Sequence, residues 1–276
     1  MVSLSSALVK LVHLGLKRYK LFFMKYTVLS YNFNNYEIGR PIPDMALDDN
    51  IEYIHITDNP NTSIQGWKTI VDPDLESLSP FDKCYAVRFN LFKYASTDVC
   101  LYLDGSIQIL SNVKPLITDF VSSNSDVGVM VHPYRYTMLQ EYTAWSTLRG
   151  YDKFNGFKHL AFMQQSGYDV NNYKGLYQGC MRFVKRTKSN TDLDTATLTL
   201  LKALGKPGVI ERLDQTIYSY LLNTKFSDMT IYPVSESIIH SAYMQWMRHG
   251  SSTPIPTPPL YQYGYVRNQL TKLNFV

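Results

Sequence analysis

From residue 26 to residue 134 the chain alternates apolar, β-branched runs with segments of helical spacing, and this alternation limits the fold more than any other feature. "YTVLSYNF" (26–33), "IEYIHITDNP" (51–60) and "WKTIV" (67–71) are predicted as three strands. "PFDKCYAVRFNLFKYAS" (80–96), with a proline in its first turn, is predicted as a helix. A strand over "DVCLYLDGSIQIL" (98–110), a short helix over "VKPLITDFVSS" (113–123) and a strand over "DVGVMVHPY" (126–134) follow. Strands that are apolar along their whole length are covered on both faces. Alternating with helices, they predict an α/β sandwich around a mostly parallel central sheet. In such sheets ligands bind beyond the carboxyl ends of the strands. Asp58, Asp104 and His132 each close a predicted strand, so the three are expected to share one cleft.

The second half is more helical. Helices are predicted over 136–152, 159–169, 192–204 and 212–225, and a strand over "LYQGCMRFVKR" (176–186). A Pro-rich stretch, "TPIPTPP" (253–259), precedes an aromatic tail expected to pack back on the domain. The expected organisation is an amino-terminal helix (1–23), one domain (24–250) and the tail (251–276).

Apolar residues make up 45% of the chain and charged residues 18%, enough for a large core. The 27 Lys and Arg exceed the 23 Asp and Glu by four, and residues 1–23 hold four bases (Lys10, Lys17, Arg18, Lys20) and no acid. The remainder is balanced, which argues against nucleic-acid binding. The basic segment has amphipathic helical spacing but too many charges to span a bilayer. Membrane-surface contact and packing on the domain are both open to it. Three scattered cysteines (Cys84, Cys100, Cys180) suit neither a disulfide framework nor a zinc site, and a cytoplasmic location, peripheral on a membrane's inner face if the helix binds there, fits them. The 22 tyrosines supply flat surfaces with a polar tip, suited to stacking on sugars or to core packing.

The sharpest chemical signal is Asp104 followed by Gly105 and Ser106. A carboxylate at a strand end, beside a glycine that lets a ligand approach, can hold a divalent cation against a diphosphate. It can equally cap a turn. Lys83, Arg88 and Lys93 lie on the preceding predicted helix, as cations for phosphates or as a solvated face. Asp214 and Gln215 begin a helix, where an acid meets the dipole favourably and could also act as a base on an acceptor hydroxyl. His132, Arg135 and Glu141 form a further polar group. His240 and His249 are nine residues apart, outside the i, i+4 spacing of a helical metal site.

The ordered series "YNFNNYE", "IHITDNP", "KCYAVRFNLFKY", "YLDGSI", "VHPYRYTMLQEY", "GLYQGCMRFVKR" and "ERLDQTIYSYLL" resembles GT-A-type glycosyltransferases, in particular the TOD1/MUCI70-like domains of bacteria and plants. The resemblance spans residues 26–226 and implies a GT-A-like, Rossmann-type fold. It implies transfer of a sugar from a nucleotide-sugar donor (UDP- or GDP-linked) to a glycan acceptor, with Mn²⁺ or Mg²⁺ as a cofactor. Carried over by position, Asp58, Lys83, Arg88, Lys93, Asp104 and Ser106 would line the donor. His132, Arg135, Gln178 and Gln215 would line the sugar or acceptor. Asp214 or Glu141 would be the base, and His240 would join Asp104 on the metal. The usual Asp-x-Asp pair is reduced to Asp104, since Tyr102 precedes it by two. Alternatives are a sugar-phosphate nucleotidyltransferase, against which the loop "NFNNYEIG" counts, and a non-catalytic glycan-binding protein.

Overall fold

The computed structural model describes residues 24–132, 135–149, 153–172, 175–205 and 213–255. The amino-terminal helix and the aromatic tail expected from the sequence lie outside these residues. Nine strands are present among the described residues: β1 (Tyr26–Asn32), β2 (Ile51–Thr57), β3 (Lys68–Val71), β4 (Val99–Leu103), β5 (Ile107–Ile109), β6 (Val127–Val131), β7 (Tyr177–Lys185), β8 (Ile231–Val234) and β9 (Met244–Trp246). Seven form one sheet in the order β3-β2-β1-β4-β7-β6-β8, and β5 pairs with β9 apart from it. Within the large sheet only β7 runs antiparallel to its neighbours. The architecture is therefore the expected α/β sandwich with a mostly parallel sheet.

The central strands are buried along nearly their whole length, as their unbroken apolar runs require. Alternate side chains enter different cores. Tyr26 and Val28 join the cluster around Phe120 and Phe183, while Leu29 and Tyr31 join the one around Tyr85, Phe89 and Tyr218.

Helices α1 (Pro80–Arg88), α2 (Leu91–Tyr94), α3 (Lys114–Ser122), α4 (Met138–Arg149), α5 (Lys153–Gln165), α6 (Lys188–Leu204) and α7 (Leu213–Asn223) cover the sheet. The start of α1 carries a Ser79 cap that accepts from the Asp82 N–H, with proline in the first turn. Thr187 caps α6 in the same way through Asn190, and the Gly205 N–H closes its last turn on Leu201 O. No helix among the described residues is long and apolar enough to cross a membrane.

Two elements differ from the sequence expectation for identifiable reasons. The single helix expected over 80–96 breaks at Phe89–Asn90, because the Arg182 guanidinium takes the Arg88 carbonyl that would have continued the helical ladder. The strand expected over 98–110 stops at Leu103. The Asp104 N–H still donates to Cys180 O (2.8 Å), but Ile107 N closes a turn on Asp104 O (2.9 Å) and the chain leaves the sheet as β5. Gly105 is required at this corner, since a Cβ there would sit 2.8 Å from Tyr31 O. Strands β5, β8 and β9 are too short to announce themselves by periodicity.

Candidate active site

Strand β1 has β2 and β3 on one side and β4 on the other, so the strand order reverses between β1 and β4. In parallel sheets that reversal opens a crevice at the carboxyl ends. Tyr31 and Tyr102 stand there with ring centroids 5.7 Å apart. Arg88, the last residue of α1, lies over both rings at 5.9 and 5.4 Å. Four of its five N–H groups are donated within the protein. Nε reaches Tyr102 OH (3.1 Å), Nη2 reaches Tyr31 OH (2.7 Å) and Asp104 Oδ1 (2.8 Å), and Nη1 reaches Asp214 Oδ2. Burial opposes the charge, yet Asp214, the two phenols and Asp104 outweigh it and hold Arg88 well above the ordinary arginine value. Burial likewise raises both phenols well above theirs, so Tyr102 stays neutral and donates its O–H to Asp104 Oδ1. Asp104 Oδ2 has no protein partner among the described residues, and the side chain is 27% exposed.

Asp214 enters from the first turn of α7, and a bare backbone on β7 makes room for it. A Cβ on Gly179 would lie 3.1 Å from Arg88 Nη1 and 3.3 Å from Asp214 Oδ2. The next residue, Gln215, accepts from Gly179 N (3.4 Å) and donates Nε2–H to Glu141 Oε1. Because a carboxylate only accepts, Glu141 fixes which end of the Gln215 amide faces Gly179. Glu141 is 1% exposed and also pairs with Arg135, whose guanidinium donates to His132 Nε2. Burial, then the Arg135 charge, pushes His132 well below the usual histidine range, leaving it neutral. A hollow between β7, α1 and α7 is lined by Arg88, Gln178, Gly179, Arg182, Asp214 and Gln215, with room for about one water. Gln178 Oε1 and Arg182 Nε are buried there without a hydrogen-bond partner among the described residues.

The structure thus links Asp104, Arg88 and Asp214 in one chain of hydrogen bonds and Gln215, Glu141, Arg135 and His132 in an adjoining one, with Gln178 lining the hollow beside them. Asp58, at the end of β2, belongs to a neighbouring pair: it accepts from Lys83 Nζ (2.9 Å) and from Asn34 N (2.9 Å). Burial raises its pKa, but those bonds outweigh burial and hold it below the ordinary aspartate value. Lys93 lies on α2 and is engaged by Asp72 (2.6 Å) and Asp74 (2.7 Å). Ser106 is buried and offers its carbonyl to Met247 N (2.9 Å). His240 sits in the small sheet, bridged to Gln245 with its ring 6.3 Å from Trp246, and burial lowers its pKa.

No family model matches this chain, and no curated protein matches it in sequence. Among solved structures it is similar to the apo form of mouse xyloside xylosyltransferase 1, at 10% identity and a TM-score of 0.46, over 76% of this chain and 85% of that one.

Among the described residues no group of three His, Cys, Asp or Glu side chains converges to hold a metal ion. Around Asp104, Oδ1 is taken by Arg88 and Tyr102, and Oδ2 is the oxygen that a cation could reach. Several residues of the network carry no sequence signal of their own. Tyr31, Tyr102, Gly179 and Arg182 sit inside ordinary-looking strands, and only the alternation of side chains along β4 places Tyr102 on a definable face. Glu37, Arg40 and His249 were also not read as site residues, although they converge on the Asp104 turn.

Proposed function

We propose that the chain is a glycosyltransferase that moves a sugar from a nucleoside-diphosphate donor to a glycan acceptor. The carrying observation is Arg88, which joins a carboxylate at the end of β4 to a carboxylate at the start of α7 across the crevice where strand order reverses. Two fixed carboxylates, with Gln178 and Gln215 amides alongside, suit a ligand rich in hydroxyl groups. The donor would lie over the turn after β4, its sugar directed toward Asp214 and Gln215. Its nucleoside would extend toward Asp58 and the loop after β1.

In the reaction an acceptor hydroxyl oxygen bonds to the anomeric carbon while the bond to the diphosphate oxygen breaks. The electron pair leaves with the nucleoside diphosphate, and the hydroxyl proton passes to an acceptor oxygen at the site. Arg88 holds Asp104 and Asp214 oriented, so the site is arranged before the donor arrives. Glu141, sealed behind Arg135 and Gln215, acts here by orienting Gln215. Asp104 would hold a divalent cation together with the donor's phosphates, where it would offset the leaving group's charge, and no step is routed through it.

The test is a panel of UDP- and GDP-sugars assayed for released nucleoside diphosphate, with Asp104→Asn beside the native chain. Asp104→Asn keeps the shape and removes the charge, and turnover is expected to fall roughly hundredfold, the scale of losing one preorganised polar group. Silence of the native chain across the panel overturns the reading.

A further inference from the structure

Arg182, on β7, is almost fully enclosed, and its guanidinium is held in one plane. Nη1 donates to Asp194 Oδ1 (2.9 Å) and Nη2 to the Arg88 carbonyl, while the group lies over the rings of Phe89 (4.9 Å) and Tyr218 (4.8 Å). These contacts fix the direction of the remaining donor, Nε–H, which has no hydrogen-bond partner among the described residues. Gln178 Oε1, an acceptor from the same strand, is buried in the same condition. A donor and an acceptor taken from water and left unpaired are both costly.

Both residues line the hollow between β7, α1 and α7, which measures about 10 Å³, the space one water needs. Phe89, Val129 and Tyr218 supply apolar walls, and Asp214 is a further polar one. Whatever fills the hollow must accept from Arg182 and donate to Gln178. A cation or a halide can satisfy only one of the two, whereas a water satisfies both. Asp214 commits Oδ2 to Arg88, which leaves Oδ1 to accept the second proton of that water. Three hydrogen bonds is the usual complement of a buried water.

We infer that this hollow is a binding site for one resident water, which accepts from Arg182 Nε–H and donates to Gln178 Oε1 and Asp214 Oδ1. Through that water Arg182 is a positioning residue for Gln178. The inference goes beyond the glycosyl-transfer reading and does not depend on it. With Oε1 held in the hollow, the Gln178 amide keeps its Nε2 end for a ligand, so that the crevice offers a donor at this place. The Arg182–Asp194 pair, between β7 and α6, thereby reaches the carboxylate at the start of α7.

Oxygen-17 relaxation dispersion of the full chain counts long-lived buried waters without any ligand or turnover. The native chain is compared with Gln178→Leu, with Gln178→Glu, and with Arg182→Met combined with Asp194→Leu. About one water is expected to vanish from Gln178→Leu, which removes the acceptor, and from the double variant, which removes the donor. Gln178→Glu keeps an acceptor oxygen in place and is expected to keep the water, a rescue that a general loosening of β7 would not produce. Equal counts in the native and Gln178→Leu chains overturn the inference. Loss of the water from Gln178→Glu overturns it too, since shape and not the acceptor would then decide. So does a crystal structure of the native chain in which the hollow is empty or Arg182 Nε bonds directly to Gln178. Silence across the nucleotide-sugar panel bears on the transferase reading alone.

Discussion

Arg88 illustrates how one side chain can decide whether a site exists. It sits between two carboxylates and two phenols and is almost fully enclosed. Replacing it with methionine leaves Asp104 and Asp214 facing each other without a cation. The expected loss is about 3–5 kcal/mol of unfolding free energy, the range for breaking a buried pair by removing one partner, measured by urea titration. Arg88→Lys should recover little of this, because an ammonium lacks the planar fork that reaches four acceptors at once. Gly179→Ala is a gentler probe. Its methyl group would press on Arg88 Nη1 and Asp214 Oδ2, so turnover should fall several-fold more than thermal stability does. Asp104 and Asp214 were legible in the sequence because a strand end and a helix start expose them. Their joining through Arg88 was not, since the partners lie 16 and 126 residues away and no spacing rule connects them.

At the level of elements, the break between α1 and α2 follows from a buried ion pair between β7 and α6. Arg182 is 2% exposed, donates to Asp194 on α6 (2.9 Å), and is sandwiched by Phe89 (4.9 Å) and Tyr218 (4.8 Å). Its remaining reach captures the Arg88 carbonyl, which ends α1 where the Arg88 side chain can turn into the crevice. Asp194→Leu strands a buried guanidinium, whereas the double substitution Arg182→Met with Asp194→Leu removes both charges. The double variant is expected to be more stable than Asp194→Leu alone by about 1–4 kcal/mol in denaturant titrations. Equal stability of the two would mean that the pair contributes packing and no net electrostatics. Hydrophobic periodicity correctly marked residues 80–96 as helical in character. It could not mark the interruption, because the cause lies on a strand some ninety residues further along.

For the molecule as a whole, the sheet was readable because burial on both faces demands uninterrupted apolar strands, and β1, β2 and β4 have them. The same burial encloses histidines that periodicity counts merely as polar. Burial pushes His55 and His159 down to about 4, so both are neutral in the fold and titrate near 6.5 once unfolded. Between pH 6.5 and 4 the unfolded chain therefore binds more protons, and stability falls as pH falls through that window. Denaturant midpoints should rise from pH 4 to about 6.5 and then level, and His55→Gln should flatten part of the slope. The polar network of the site was less legible than the sheet, since it is stitched from the carboxyl ends of β1 and β4, the middle of β7 and the start of α7.

The pairing of β5 with β9 carries a consequence for how the protein comes into being. The corner bearing Asp104 emerges from the ribosome early, yet the segment that braces it, residues 244–251, is made more than a hundred positions later. Most of the large sheet can form while that brace is still unsynthesised. A chain interrupted near residue 240 would hence leave translation with most of its sheet in place, the corner that bears Asp104 still waiting for a last short ribbon of polypeptide.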